Sequence, residues 1–277
     1  MSEGIIRLFG DDELLLVHEG DMVVDIIGDY PSEPVTLHDK THDLHQRHID
    51  FLNTDHGRRM QQIYRFGGFM AQTIASLDGE PETARRQWRE WLGPDVVLAT
   101  HEAHTARLAR FVIDHETTNP LTVVEASQLL FVAMHHDKGE SVVGDIARIS
   151  KTAEDEAAEE AAIVQVLSET YPEYGREELE LILHATEANQ AIDFASAKVR
   201  SIFDTIELAG YYDTALKAWR AAYLAELPQD RSLLRGLAKE VSSNWHPRLT
   251  DRAKDLSSFA QYLSHTLPLY ETIHSNN

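Results

Sequence analysis

A chain of 277 residues can form one large domain, or a core with an appendage. Its 43% hydrophobic and 26% charged content is globular in kind. Without cysteine there is no disulfide framework, thiolate site or cysteine nucleophile, so any metal has to be held by His and carboxylates. A formal net charge of −21, with 25 Lys and Arg against 46 Asp and Glu, argues against nucleic acid as a partner, because phosphate neutralisation depends on Lys and Arg.

Short apolar runs at Ile5–Phe9, Leu14–Val17 and Met22–Ile27, parted by Gly10-Asp11 and Gly20-Asp21, predict a small β-meander. Residues 1–55 carry thirteen acids against three bases, close to half of the acidic excess of the whole chain. The first twenty residues hold acids where a signal peptide has bases, and no apolar run nears the roughly 20 residues of a membrane span. The expectation is a cytoplasmic protein without a membrane partner. Pro31 and Pro34 break the chain, and Thr36–His56 reads as a polar helix. His38, His42, His45 and His48 fall roughly on one face of it, which offers a second metal or pH-sensitive patch; because the spacing matches no known metal-site rule, it reads rather as the solvated face of a surface helix.

Tyr64–Leu77 and Thr83–Leu92 read as further helices, the second carrying Trp88 and Trp91. A helix from Leu98 to His115 follows, then a break at Asn119-Pro120. Thr122 and Glu125 have the spacing of a capping box and predict the start of the next helix, which runs to Met134. Beyond residue 145, helical periodicity marks Glu154–Glu169, Glu177–Gln190 and Phe194–Tyr211. Three more helices are expected around Trp219, Leu234 and Phe259–Tyr262, parted by Pro228 and by Trp245-His246-Pro247. From residue 83 onward the chain reads as all-α.

The stretch Leu129–Asp145 stands out. An apolar run, Leu129–Met134, ends abruptly in His135, His136 and Asp137, with Glu140, Gly144 and Asp145 behind it. Polar groups delivered to the end of a core helix are costly unless something pairs them. A divalent cation pairs a neutral imidazole with an ionised carboxylate.

His136-Asp137, Glu140 and Gly144-Asp145 together fit HDxxExxxGD and resemble the HD-domain metal-dependent phosphohydrolases, in particular their 5′-deoxynucleotidase branch. The resemblance covers about Leu98–Tyr212. It implies an HD-domain helical bundle at 81–277 with a C-terminal helical extension, residues 1–80 being an appendage of unassigned role. It also implies an earlier His ligand, which His104 in His101-Glu102-Ala103-His104-Thr105 matches best, with His101 as competitor. A distant Asp ligand in the frame AKxVKxxDxxE falls on Asp204 within Ala197–Glu207.

The implied metal set is thus His104, His136, Asp137 and Asp204. Two nitrogens and two carboxylates suit Mn²⁺, Co²⁺, Fe²⁺ or Zn²⁺ better than Mg²⁺. By the same resemblance Glu140 acts on the attacking water and Asp145 lies near the substrate sugar. Arg107, Arg148 and Lys151 are candidate cations for the substrate phosphate, and His135 supports the site by packing. The family also places an Arg and a Trp before its first His to hold substrate; Arg89 and Trp91 lie in that region, but the frame fixes neither.

The resemblance implies a phosphomonoesterase that acts on (deoxy)nucleoside 5′-monophosphates, and a homodimer. Two alternatives stand beside it. One is an HD-type triphosphohydrolase or signalling-nucleotide hydrolase; the other is a regulatory domain that binds metal and nucleotide without cleaving. Glu140 and Asp145 speak against the last, since a pure binding module has no need of water-activating carboxylates.

Overall fold

A computed structural model describes residues 6–7, 15–16, 44–67, 69–71, 80–93, 96–146, 151–185 and 197–275. Among these, the first two apolar runs form short antiparallel strands, β1 (Ile6–Arg7) and β2 (Leu15–Leu16), with Ile6 opposite Leu16 and Arg7 opposite Leu15. The third run lies outside the described residues. Everything else of regular structure is helical, so the protein is all-α: α1 (Leu44–Leu52), α2 (Asp55–Met60), α3 (Pro81–Leu92), α4 (Leu98–His115), α5 (Val123–Ala133), α6 (Glu140–Val143), α7 (Ala153–Thr170), α8 (Arg176–Ala185), α9 (Ala197–Leu224), α10 (Pro228–Arg252) and α11 (Ser257–Ser275).

The caps are local and chemical. Thr122 opens α5 with the expected box, its hydroxyl accepting from the Glu125 N–H while the Glu125 carboxylate accepts from the Thr122 N–H. Thr152 and Asp155 do the same for α7. Glu116 ends α4, and its carboxylate accepts from the N–H groups of Thr118, Asn119 and Ser258 and from the hydroxyls of Ser257 and Ser258. One buried carboxylate thereby closes the α4–α5 loop and caps the N-terminus of α11, where negative charge is favoured.

The helix α9 runs through the middle of the bundle and is buried on most sides, from Val199, Ile202 and Phe203 through Ile206 and Tyr212 to Leu216 and Trp219. Such a helix has no polar stripe to present. It pairs with α10 as a long hairpin, and α3, α4, α5, α8 and α11 pack around it. Two expectations are corrected here. Trp219 belongs to the same helix as Asp204, and Pro247 sits inside α10 rather than ending a helix. Long, continuous burial against α9 outweighs the backbone hydrogen bond that a mid-helix proline forfeits.

Residues 44–66, assigned on sequence to the appendage, join the same core. Phe51 and Met60 are fully buried, and Ile63–Arg65 lies extended beside the start of α4, with Arg65 N–H donating to Val96 O and Leu98 N–H to Ile63 O. His48 is buried as well, so it does not share the solvated face expected of the histidine series; His38 and His42 lie outside the described residues. The helix predicted at 64–77 starts later than expected: Tyr64 forms a β-bridge with Val97, helix is described at 67 and 69–71, and 72–77 lie outside the described residues. Among the described residues no helix is long and apolar enough to cross a membrane.

Candidate metal centre

The chain leaves α5 at Met134 and turns tightly through Gly139 before α6 begins. Gly139 is needed for space: a Cβ there would come within 2.6 Å of Ile163 Cγ1 and 2.8 Å of the Glu159 carbonyl on α7. This turn carries His135, His136, Asp137 and Lys138. The Glu140 N–H donates to Asp137 O at 2.9 Å, which places Glu140 one turn beyond Asp137.

Two rings and two carboxylates meet at this turn. His101 from α4, His136 and Asp137 present ligand atoms that all lie within 4.8 Å of one another, so this group could hold a metal ion. Glu207 from α9 joins them, its Oε1 lying 3.4 Å from His136 Nε2 and 3.6 Å from His101 Nε2. Asp137 reaches both rings, at 3.2 Å to His136 and 3.6 Å to His101. The fit to a cation shows in the atoms left over. His136 Nε2 and Glu207 Oε1 are buried without a hydrogen-bond partner, a costly state that an ion between them would relieve. His136 Nδ1 lies 3.1 Å from the Ala133 carbonyl, which fixes a proton on Nδ1, so that an ion would bind at Nε2 in place of the second proton of the ring.

The electrostatics agree. Burial alone would push His136 down, but Asp137 and Glu207 hold it well above the usual histidine range: positive charge is favoured at this point. Glu207 is also opposed by burial, yet His136 and His101 hold it well below the usual carboxylate range. Glu140 is the opposite case. Burial pushes it up, and Asp137, Asp145 and Glu159 push it further, so it binds a proton readily. One of its oxygens, Oε2, is buried without a partner.

Arg65 is the cation at the centre. It is buried, stacks over the Tyr211 ring at 4.7 Å, and donates from Nη1 to His101 Nδ1 at 2.8 Å. A guanidinium has only donors, so His101 Nδ1 accepts and the ring proton sits on Nε2. A metal on Nε2 would require that proton on Nδ1, and Arg65 would then give up this bond. The contact and the ion are therefore alternatives. Next to Arg65, Phe66 is the one non-glycine residue of positive φ among those described, at 63°. Its N–H donates to the Asp145 carboxylate, which burial holds above the ordinary range against Arg65.

Several expected site residues sit elsewhere. His104 is not with the 136/137 pair. Its Nε2 lies 3.1 Å from Asp213, which also accepts from the Tyr262 hydroxyl at 2.6 Å, and its Nδ1 meets Arg107 at 3.3 Å. Arg107 is thus engaged along α4. Asp204 is bound by Arg252 at 2.9 Å. In both cases the helix presents a neighbour three residues away instead: His101 for His104, and Glu207 for Asp204. At about 3.6 residues per turn, a shift of three rotates a side chain by about 60°.

Lys151 pairs with Glu159 and feels Glu140 and Asp137, so it stands at the acidic edge of the group. Arg148 lies outside the described residues. His135 packs, as expected: its Nδ1 meets Phe131 O at 2.8 Å, its Nε2 meets the Tyr174 hydroxyl at 3.2 Å, and burial holds it well below the usual range. Arg89 is exposed, and Trp91 packs edge-on against Trp88. No family model, curated protein or solved structure matches the chain.

Proposed function

We propose that this chain is a metal-dependent phosphomonoesterase that converts (deoxy)nucleoside 5′-monophosphates into nucleoside and phosphate. The observation that carries this reading is the meeting of His101, His136, Asp137 and Glu207 at one buried point, with Glu140 and Arg65 beside it. Those four side chains would hold a divalent ion, and their mixed nitrogen and oxygen donors favour Mn²⁺, Co²⁺, Fe²⁺ or Zn²⁺ over Mg²⁺. Such an ion, when bound, supplies Lewis acidity toward a phosphoryl oxygen and lowers the pKa of a water on it.

The chain's own groups do the rest. Hydrolysis joins a water oxygen to phosphorus and breaks the P–O5′ bond; one water proton passes to the ionised form of Glu140, which hands that same proton on to the departing 5′ oxygen and returns to its starting state. A buried carboxylate with a raised affinity for protons suits that exchange. Arg65, once it leaves His101, offers a planar pair of donors to the phosphate. Asp145 holds the Phe66 backbone and so the direction of Arg65. The rings of Phe66 and Tyr211, edge-on at 6.1 Å, provide an aromatic corner beside Arg65 for a base.

The test is product analysis of nucleoside mono-, di- and triphosphates with Mn²⁺, Co²⁺ or Mg²⁺. Orthophosphate released from monophosphates with Mn²⁺ or Co²⁺ is the expected result. Pyrophosphate or tripolyphosphate from triphosphates, or no release from any of them, contradicts it.

A further inference from the structure

Behind the metal centre lies a second charged group that the proposed chemistry does not use. Lys138 and Glu102 are both completely buried, and Lys138 Nζ donates to Glu102 Oε2 at 2.7 Å and to the Met134 carbonyl at 2.7 Å. His48 from α1 brings Nδ1 to 3.5 Å from the same Glu102 oxygen, and the Phe51 ring covers Nζ with its centroid 4.2 Å away. Glu102 Oε1 and His48 Nδ1 lack hydrogen-bond partners, so the group is far from ideally satisfied.

Taken only as a source of stability, such a pair is a poor choice. Two charges lose their hydration, and apolar side chains of the same volume commonly stabilise a fold as well or better. Its place in the chain supplies another reason. Glu102 directly follows His101, and Lys138 directly follows Asp137. The ion pair therefore joins the two segments that carry opposite sides of the metal centre, one residue behind each, and its bond to Met134 O fastens the turn between α5 and α6 as well.

We propose that Lys138 and Glu102, closed over by His48 and Phe51 of α1, are positioning residues that set the separation of His101 from Asp137 for a divalent cation. The pair touches neither the ion nor the substrate. It also gives α1 a role at the site, as the wall that keeps water from this bond. The inference rests on the metal centre proposed above.

The experiment is calorimetric titration of the full chain with Mn²⁺ at 25 °C, alongside thermal melts. The double variant E102M/K138M keeps side-chain length and removes the tether. It should melt at or above the wild-type temperature while binding Mn²⁺ about 10- to 100-fold more weakly, the usual cost of disturbing groups behind metal ligands. Lys138→Arg, which retains a charged donor to Glu102, should restore affinity to within about threefold. Should the double variant fail to fold, Glu102→Gln carries the test: Lys138 left without its counter-charge lowers the melting temperature, and Mn²⁺ binding, measured below that transition, is weakened. Wild-type affinity in the double variant, or in Glu102→Gln, overturns the inference. A wild-type protein that takes up no Mn²⁺ instead overturns the metal centre itself.

Discussion

His101 and His104 are both imidazoles on one helix, both largely buried, and neighbouring residues decide between them. His104 is claimed by Asp213, itself anchored by Tyr262, and those partners come from α9 and α11, more than a hundred positions along the chain. The sequence around residue 101 therefore contains two acceptable histidines and no local signal to separate them. Glu207 was closer to legible, as the last position of the frame that contains Asp204, but the Arg252 that takes up Asp204 is remote in sequence. Arg65 carried no signal at all, because it reaches His101 across 36 positions. Its bond to His101 Nδ1 makes a two-sided prediction. Arg65→Ala should bind Mn²⁺ several-fold more tightly, since the competing donor is gone. It should also raise KM for a monophosphate by 10-fold or more through the lost phosphate contact. Titration and steady-state kinetics on the same preparation read both effects. Tighter metal binding with an unchanged KM would remove Arg65 from the substrate.

Among elements, the capping boxes at Thr122 and Thr152 follow from residues three positions apart, and that start of α5 is readable in the sequence. The docking of α11 is not, because its cap, Glu116, belongs to α4. Burial pushes the Glu116 carboxyl up, but the N–H groups of Asn119 and Ser258 and the hydroxyls of Ser258 and Ser257 outweigh it and hold it below the ordinary glutamate value. A carboxyl depressed in the folded state adds stability above its unfolded pKa of about 4.3 and loses it as the pH falls through the folded value. Glu116→Gln should accordingly cost about 1–3 kcal/mol at pH 7 in urea unfolding. The gap to wild type should narrow as the pH drops below about 4.3 and close once the folded-state carboxyl is protonated. A gap that stays constant down to pH 3 would mean that Glu116 acts through packing alone.

At the scale of the whole molecule, the net charge of −21 opposes any anion, and the candidate site answers with a buried cluster of cation-seeking groups, Arg65 within it and Lys151 at its edge. The all-α class and most helices were legible from apolar periodicity, because helices such as α3 bury one recurring face (Ala84, Trp88, Leu92), although α9 is buried nearly all round. The boundary near residue 80 was not: Phe51, Met60 and Arg65 enter the core through contacts that a strongly acidic N-terminal composition hides. What the fold accomplishes overall is to bring α4, the α5–α6 turn and α9 to a single point. The most direct test is Mn²⁺ stoichiometry, measured by calorimetry on the wild type, Glu207→Ala and Asp204→Ala. About one high-affinity ion per chain is predicted for the wild type and for Asp204→Ala, with none in Glu207→Ala. An ion that persists without Glu207 and disappears without Asp204 would contradict the site described for this protein.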